Sequence, residues 1–351
     1  MFISDQLNQR YNAFWNRTPT DRACLFISRW DGAPGFRPPV SSEEQWTGLD
    51  WREESTVYGV AHTVYEGDGF PTVFTNFGPG SLAACVGTGF VPHEATIWFE
   101  TKPHVVERWE DRPHLTLRRD SRMYRLVEDF SARLLAHKDS FITSICDIGG
   151  TYDILASLRG TNELLYDLCD EPDEVKALRD ELAPLWAAYF REQSDRLMRE
   201  QGGMTSWMPI WSDEAYYPLQ CDFCAMISPD MFREFILPDL CGQTELMPRS
   251  IYHLDGPREI PHLDMLLSLP RLNAIQWVPG SGQPGYADPC WYGLYRRIQE
   301  AGKGLILLGV APWELEPILR NVSGRGLFIQ TWSGSREQSE DMIRLAEKLN
   351  K

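Results

Sequence analysis

An α/β fold of the (β/α)8 TIM-barrel type, decorated in its N-terminal part, is predicted by three observations. Eight strand-like segments begin at Cys24, Thr72, Phe141, Met204, Ile251, Ala274, Leu305 and Leu327. Helical material fills most of the intervals, as parallel strands joined by crossover helices require. The length of 351 residues suits one large barrel as well as two average domains. No linker, low-complexity tract or short repeat interrupts the chain. One domain over residues 1–351 is therefore expected, with 1–140 as its divergent first part.

The N-terminal third is the less regular part. Cys24–Trp30 and residues 72–77 are its best strands. The polar, Trp-rich stretch between them reads as a loop or a small helical insertion. Residues 95–120, with Thr-Ile-Trp-Phe-Glu followed later by Leu-Thr-Leu-Arg, read as a hairpin decorating the barrel. Beyond residue 140 the alternation is regular. A strand at 141–147 leads to helical material reaching about residue 199. In it, Asp170-Glu-Pro-Asp is a helix start with proline near the first turn. Val175, Leu178, Leu182, Leu185 and Tyr189 repeat at helical spacing, with Pro184 placed to kink or break the helix. A strand at 204–209 is followed by a loop containing Ser212-Asp-Glu-Ala-Tyr-Tyr-Pro, and a helix opens after Ser228-Pro-Asp. Strands at 251–255, 274–278, 305–310 and 327–332 alternate with helices near 261–267, 291–301 and 312–320, and a closing helix covers 337–349.

Composition removes several functions. The net charge is −16, from 50 acidic and 34 basic residues. Nucleic acid needs a basic face, and an anionic membrane surface attracts basic segments. A polyanionic substrate is also disfavoured. The N-terminus has no basic region followed by an apolar run, and the apolar stretches are too short to span a bilayer. Eight scattered cysteines in apolar surroundings read as reduced, buried residues of a cytoplasmic protein.

In a barrel of this type the chemistry sits at the C-terminal strand ends. Those ends carry Arg29 and Trp30; Asn76; Asp147; Trp207; His253 and Asp255; Gln276 and Trp277; Gln330 and Trp332. Alternate residues of a strand share a face, so His253 and Asp255 can face one pocket together. Such a pair binds a metal, orients a proton, or hydrogen-bonds within a core. Gly256-Pro257 follows at once, a turn that suits a site. Five of the thirteen tryptophans, Trp30, Trp207, Trp211, Trp277 and Trp332, fall near the expected mouth. A mouth of this kind suits a flat aromatic ligand, a sugar or a quaternary amine. The alternative is that they cap a large barrel. His262 reads as structural. Cys221-Asp-Phe-Cys224 has no second pair at zinc-ribbon distance, which leaves Asp222 as the better pocket residue. The glycine-rich pieces match no phosphate loop, and no nucleophile elbow is present.

Residues 140–350 resemble the uroporphyrinogen decarboxylase superfamily. The resemblance rests on Asp147-Ile-Gly-Gly, Leu155-Ala-Ser-Leu-Arg-Gly160 and Leu165-Tyr-Asp-Leu-Cys-Asp-Glu-Pro-Asp. It continues through Asp222, Ile227-Ser-Pro-Asp-Met-Phe-Arg-Glu-Phe-Ile-Leu-Pro238, Tyr252-His-Leu-Asp-Gly256 and Leu327-Phe-Ile-Gln-Thr. It implies a (β/α)8 barrel and one of two chemistries. One branch decarboxylates uroporphyrinogen without a cofactor. The other comprises zinc-dependent methyltransferases that move methyl groups between corrinoid proteins and thiols. The chain departs from both. Where the decarboxylases carry an arginine-rich element, Phe26-Ile-Ser-Arg-Trp-Asp-Gly offers Arg29 alone. Where the methyltransferases bind zinc through His-X-Cys and a later cysteine, His253 keeps the histidine. Asp255 replaces the first cysteine, and Gln330, Thr331 and Ser333 occupy the second region. Zinc accepts carboxylate, but without thiolates the site is harder.

The leading expectation is a methyltransferase or demethylase acting on a small or aromatic methylated substrate, closer to the second branch. His253 and Asp255 would bind a divalent metal such as zinc, or act as acid and base, with Asp222 and Gln330 as further ligands. Trp30, Asn76, Asp147, Trp207, Asp222, Gln276, Trp277 and Trp332 would contact substrate. A corrinoid protein would serve as methyl partner, and a homodimer is among the expected assemblies. Two alternatives stand beside it: decarboxylation of a tetrapyrrole or smaller acid with its carboxylate on Arg29, and a barrel that binds a ligand without catalysis.

Overall fold

The computed structural model describes residues 3–99 and 101–350. Met1 and Phe2 of the N-terminal reading and Glu100 of the expected hairpin lie outside the described residues. The strands are β1 (Cys24–Trp30), β2 (Thr63–Gly67), β3 (Thr72–Val73), β4 (Val91–Pro92), β5 (Ile97–Trp98) and β6 (Ile142–Thr143). They continue with β7 (Tyr216–Leu219), β8 (Arg249–Asp255), β9 (Ala274–Val278), β10 (Gly304–Val310) and β11 (Leu327–Trp332). Seven of them form one sheet in the order β2-β1-β11-β10-β9-β8-β7. All its pairings are parallel except β1 with β2.

The long strands β8 to β11 form because their apolar runs are buried on both faces, between helices and the interior. Ile251, Ile275, Ile306, Leu307, Phe328 and Ile329 are all fully buried. The connecting helices start where serine supplies a cap. The Oγ atoms of Ser4, Ser41, Ser121, Ser228 and Ser335 each accept a backbone N–H three residues on. Pro172 opens the helix Pro172–Gln201 at its first turn, and Pro184 inside it does not end it.

The ladder does not close into a barrel, in contrast to the sequence expectation. The strand expected at 204–209 is reduced to one bridge, Met204 with Ser212. Gly202-Gly203 before it and Pro209 at its end cut it short. At Gly203 a Cβ would lie 2.2 Å from the Trp211 ring, so no larger residue fits there. Among the described residues, β3 and β6 form a separate two-stranded ladder with each other. The backbone bond from Ser144 N–H to Val73 O (2.9 Å) belongs to that pair, and the one from Ile145 N–H to Thr205 O (3.0 Å) links it to the segment at 205.

Two further expectations differ. Residues 216–219, expected in a loop, form β7 in spite of Pro218. β7 is an edge strand, where a missing N–H leaves no ladder bond unmade. The hairpin around residue 97 pairs β5 with β4 rather than with residues 115–118. The Trp-rich stretch is helical, as Ser42–Thr47 and Leu49–Ala61.

The helix Asp5–Asn16 covers the N-terminal ends of the strands. Its Phe14 packs on Phe328 with ring centroids 5.9 Å apart, and its Trp15 on Tyr216 at 5.0 Å. At the same end the buried Arg22 guanidinium pairs with buried Asp68, whose carboxylate also accepts the Leu25 N–H at 2.8 Å. That end is therefore filled with aromatic and ionic packing, which leaves the C-terminal strand ends to carry a site. All eight cysteines are free thiols. No helix among the described residues is long and apolar enough to cross a membrane.

Candidate metal centre

β8 delivers His253 and Asp255 to one face, two residues apart, as the pleat requires. The preceding strand, β7, ends at Leu219, and the chain then enters the short helical turn Asp222–Met226. Asp222 at its start meets the other two. One ligand atom from each of Asp222, His253 and Asp255 lies within 4.8 Å of the others. The third donor brought to the pair is thus Asp222. Gln330 lies elsewhere, on a cavity wall beside Trp207.

His253 is oriented from the neighbouring strand. The β8–β9 register places Gln276 directly beside it, and the carbonyl oxygen of the Gln276 amide faces His253 Nδ1 at short range. Nδ1 therefore carries the proton, and Nε2 keeps its lone pair for a metal or an acid. Gln276 is buried, and its amide nitrogen lies 3.4 Å from Trp277 O. The Trp207 ring stands edge-on to the imidazole, 6.2 Å between centroids.

The Asp222 turn is held by Asp153, a residue the sequence reading missed. One Asp153 oxygen accepts the Phe223 N–H at 2.8 Å and the other accepts the Asp222 N–H at 3.2 Å. Gly150 makes this approach available: a Cβ there would lie 2.2 Å from Gln220 O and 2.4 Å from an Asp153 oxygen. The available signal was an acid in the first turn of a helix that follows Gly149-Gly150. Burial, and next repulsion from Asp222, pushes the Asp153 carboxyl up to about 8. Asp222 and Asp255 are exposed at the surface, and Asp222 is raised by partial desolvation, with His253 opposing and Asp255 reinforcing the shift. Asp147 is pushed up to about 6 by burial, against hydrogen bonds from Tyr217 and the Gly149 N–H. Its Oδ1 also accepts Gln220 Nε2 at 3.0 Å.

Two cavities lie near the cluster: the first borders Trp207, the ring beside His253, and is lined by none of the three donors, and the second is lined by Asp222. One, of about 240 Å³, is walled by Phe26, Tyr65, Phe74, Trp207, Ser206 and Gln330, among others, with no charged side chain. The other, of about 290 Å³, reaches Asp222 and Asp153 and is bounded by Trp98, Phe99, Phe223 and Met226.

The remaining candidates lie elsewhere. Trp277 is fully buried on the opposite face of β9 from Gln276, its ring 5.0 Å from that of Trp291. Trp211 is buried near the N-terminal helix, where its Nε1 donates to Asn8. Trp30 donates to Ala33 O and packs near Tyr58 and His62, while Trp332 meets Trp313 at the surface. Of the five tryptophans expected at the mouth, Trp207 is the one that lines a cavity. Side-chain type reports burial here, not direction. Arg29 alternates with Phe26 and Ser28, which line the uncharged cavity, so it faces away from it, and its guanidinium lies 3.6 Å from Glu66. The Asn76 side chain accepts the Gly78 N–H within its own loop. His262 is buried, stacked on Phe232, with Nε2 donating to Cys224 O at 3.0 Å.

The architecture and cluster define an α/β protein with a candidate metal centre at the C-terminal edge of a mainly parallel sheet. A methyltransferase from Methanosarcina mazei has a similar fold, with a TM-score of 0.61 over 97% of this chain and 98% of that chain. Sequence identity is 9%, so the likeness is one of fold. No family model matches the chain. No curated protein matches it either.

Proposed function

We propose that this chain is a methyltransferase-type enzyme that holds a divalent metal through Asp222, His253 and Asp255. The observation that carries the reading is a nitrogen–oxygen–oxygen donor cluster at the C-terminal strand ends, with a cavity lined by its Asp222 and a second cavity beyond Trp207. The likeness of fold to a methyltransferase agrees with it.

The donor set suits a borderline or hard cation. Three protein ligands with a free position are the usual arrangement of catalytic zinc. When bound, such a metal supplies Lewis acidity to the heteroatom that gains or loses the methyl group. The protein's own part is orientation. Gln276 fixes the His253 tautomer, Asp153 fixes the Asp222 turn, and Asp147 ties Gly149, Tyr217 and Gln220 together behind the acid-walled cavity. Trp207 stands edge-on beside the imidazole. We extend the reading to architecture: the chain is one domain. A small methylated molecule is the proposed substrate. A corrinoid protein is the proposed methyl partner, as the sequence resemblance implies.

Metal analysis of the purified protein, followed by zinc and cobalt titration, tests this. Stoichiometric binding is expected, with His253→Ala and Asp255→Ala losing both metal and methyl transfer. A protein without metal affinity whose two variants keep full activity overturns the reading.

A further inference from the structure

We propose that the uncharged cavity beyond Trp207 binds a neutral, single-ring aromatic molecule carrying oxygen substituents. Calling that molecule the methylated substrate rests on the methyltransferase reading, whereas its binding rests on the cavity alone.

The strand register places the cavity and the metal cluster on one face of the sheet. His253 pairs with Gln276, Gln276 with Ile306, and Ile306 with Phe328. Partners across a ladder share a face, and so do residues two apart on one strand. Gln330, two residues beyond Phe328, therefore points to the same side as His253, and its β1 partner Phe26 stands beside it. Trp207 belongs to both places: it lines the cavity, and its ring centroid lies 6.2 Å from that of the His253 imidazole.

Charge and size narrow the ligand. No charged side chain lines the cavity among the described residues. Arg29, next in sequence to the lining Ser28, reaches Glu66 instead. An ionic ligand would give up its hydration there without meeting a counter-charge. The volume of about 240 Å³ is below the range of about 300–1,000 Å³ usual for drug-sized ligands, so it suits one ring.

The walls favour an aromatic ring with few oxygens. Phe26 meets Tyr65 edge to face at 5.9 Å, and Phe74 lies 6.4 Å from Trp207. A further ring among these four gains the same edge-on and offset contacts. Polar partners are fewer. The Thr63 hydroxyl already donates to Gly59 O at 2.8 Å, and that of Ser206 to Met208 O at 3.3 Å. The side chains of Ser28 and Gln330 make no hydrogen bond among the described residues, and both line the cavity. One hydroxyl and one amide suit a phenol or an aryl ether. A sugar of the same size brings more hydroxyls than these two groups can pair, and a hydroxyl buried unpaired is costly.

The test is calorimetry on the full chain with 4-methoxyphenol, which is uncharged at pH 7 because phenols ionise near pH 10. Three analogues each change one property: 4-methoxybenzoate adds a charge, 4-methoxycyclohexanol removes the aromatic ring, and methyl glucoside adds hydroxyls. Saturable binding of 4-methoxyphenol is expected, with each analogue weaker by at least tenfold. Ser28→Ala and Gln330→Leu remove polar groups that no other described residue uses, and each should weaken 4-methoxyphenol about two- to tenfold. Absence of saturable binding, an analogue that binds equally well, or unchanged affinity in both variants overturns the proposal. Zinc binding is read in the same samples. Zinc bound without 4-methoxyphenol sinks the aromatic site alone, whereas 4-methoxyphenol bound by a protein without zinc affinity sinks the metal reading alone.

Discussion

Replacing Gln276 with leucine isolates the support of the metal centre from its ligands. Gln276 is buried beside His253 in the β8–β9 register, and its carbonyl oxygen accepts the Nδ1 proton. Leucine is close in size and apolar, so the strand keeps its packing. What is lost is the acceptor that fixes the tautomer and raises the basicity of Nε2. Removing a supporting hydrogen bond of this kind typically lowers metal affinity about 10- to 100-fold, or about 1.4–2.8 kcal/mol. Competition of the protein with a chromophoric chelator for zinc measures it directly. Gln276→Leu should bind 10- to 100-fold more weakly than the parent, and Gln276→Glu should restore or exceed parental affinity. An unchanged affinity in Gln276→Leu, with His253→Ala still abolishing binding, would refute the orientation argument.

Three other outcomes are expected. Asp68→Ala leaves the buried Arg22 guanidinium without its partner and removes the acceptor of the Leu25 N–H, so urea unfolding should show a loss of about 3–5 kcal/mol. Asp239 is buried, and burial raises its carboxyl to about 6. A carboxyl raised on folding costs nothing below its unfolded value, and its full cost is present above its folded value. Asp239→Asn should therefore stabilise the protein by up to about 3 kcal/mol at pH 7.5, an advantage that disappears by about pH 4. Gly150→Ala forces apart Asp153 and the Gln220 carbonyl. It should cost about 1–3 kcal/mol and weaken zinc binding, which the same chelator assay reads.

The parts of this structure that can be read from sequence are those governed by local pattern. β8 to β11 are long apolar runs, and burial on both faces makes them visible as such. The pairing of His253 with Asp255 follows from the two-residue period of a strand. Other features depend on partners distant in the chain. β7 is hidden because Pro218 argues against a strand until its edge position is known. β3 and β6 fall inside the strands expected at 72–77 and 141–147, but their shortening to two residues each is not visible locally. Both faces of β9 are apolar, so nothing local says that Gln276 turns inward and Trp277 outward. Asp153 satisfies N–H groups some seventy residues away, a relation that composition does not carry. Arg29 stands next to the cavity-lining Ser28 in sequence but on the other face of the strand.

The spacing of His253 and Asp255 also separates the identity of a ligand from its placement. The β7–β8–β9 ladder fixes where the side chain of residue 255 leaves the strand, and the backbone there is indifferent to what that side chain carries. On the proposed function, position 255 would select metal hardness. A carboxylate there favours oxygen-loving cations, and a thiolate at the same Cβ would favour softer ones. Within such a scaffold, preference for one metal over another can change by a single residue while the fold, the cavities and the orientation of the imidazole stay as they are.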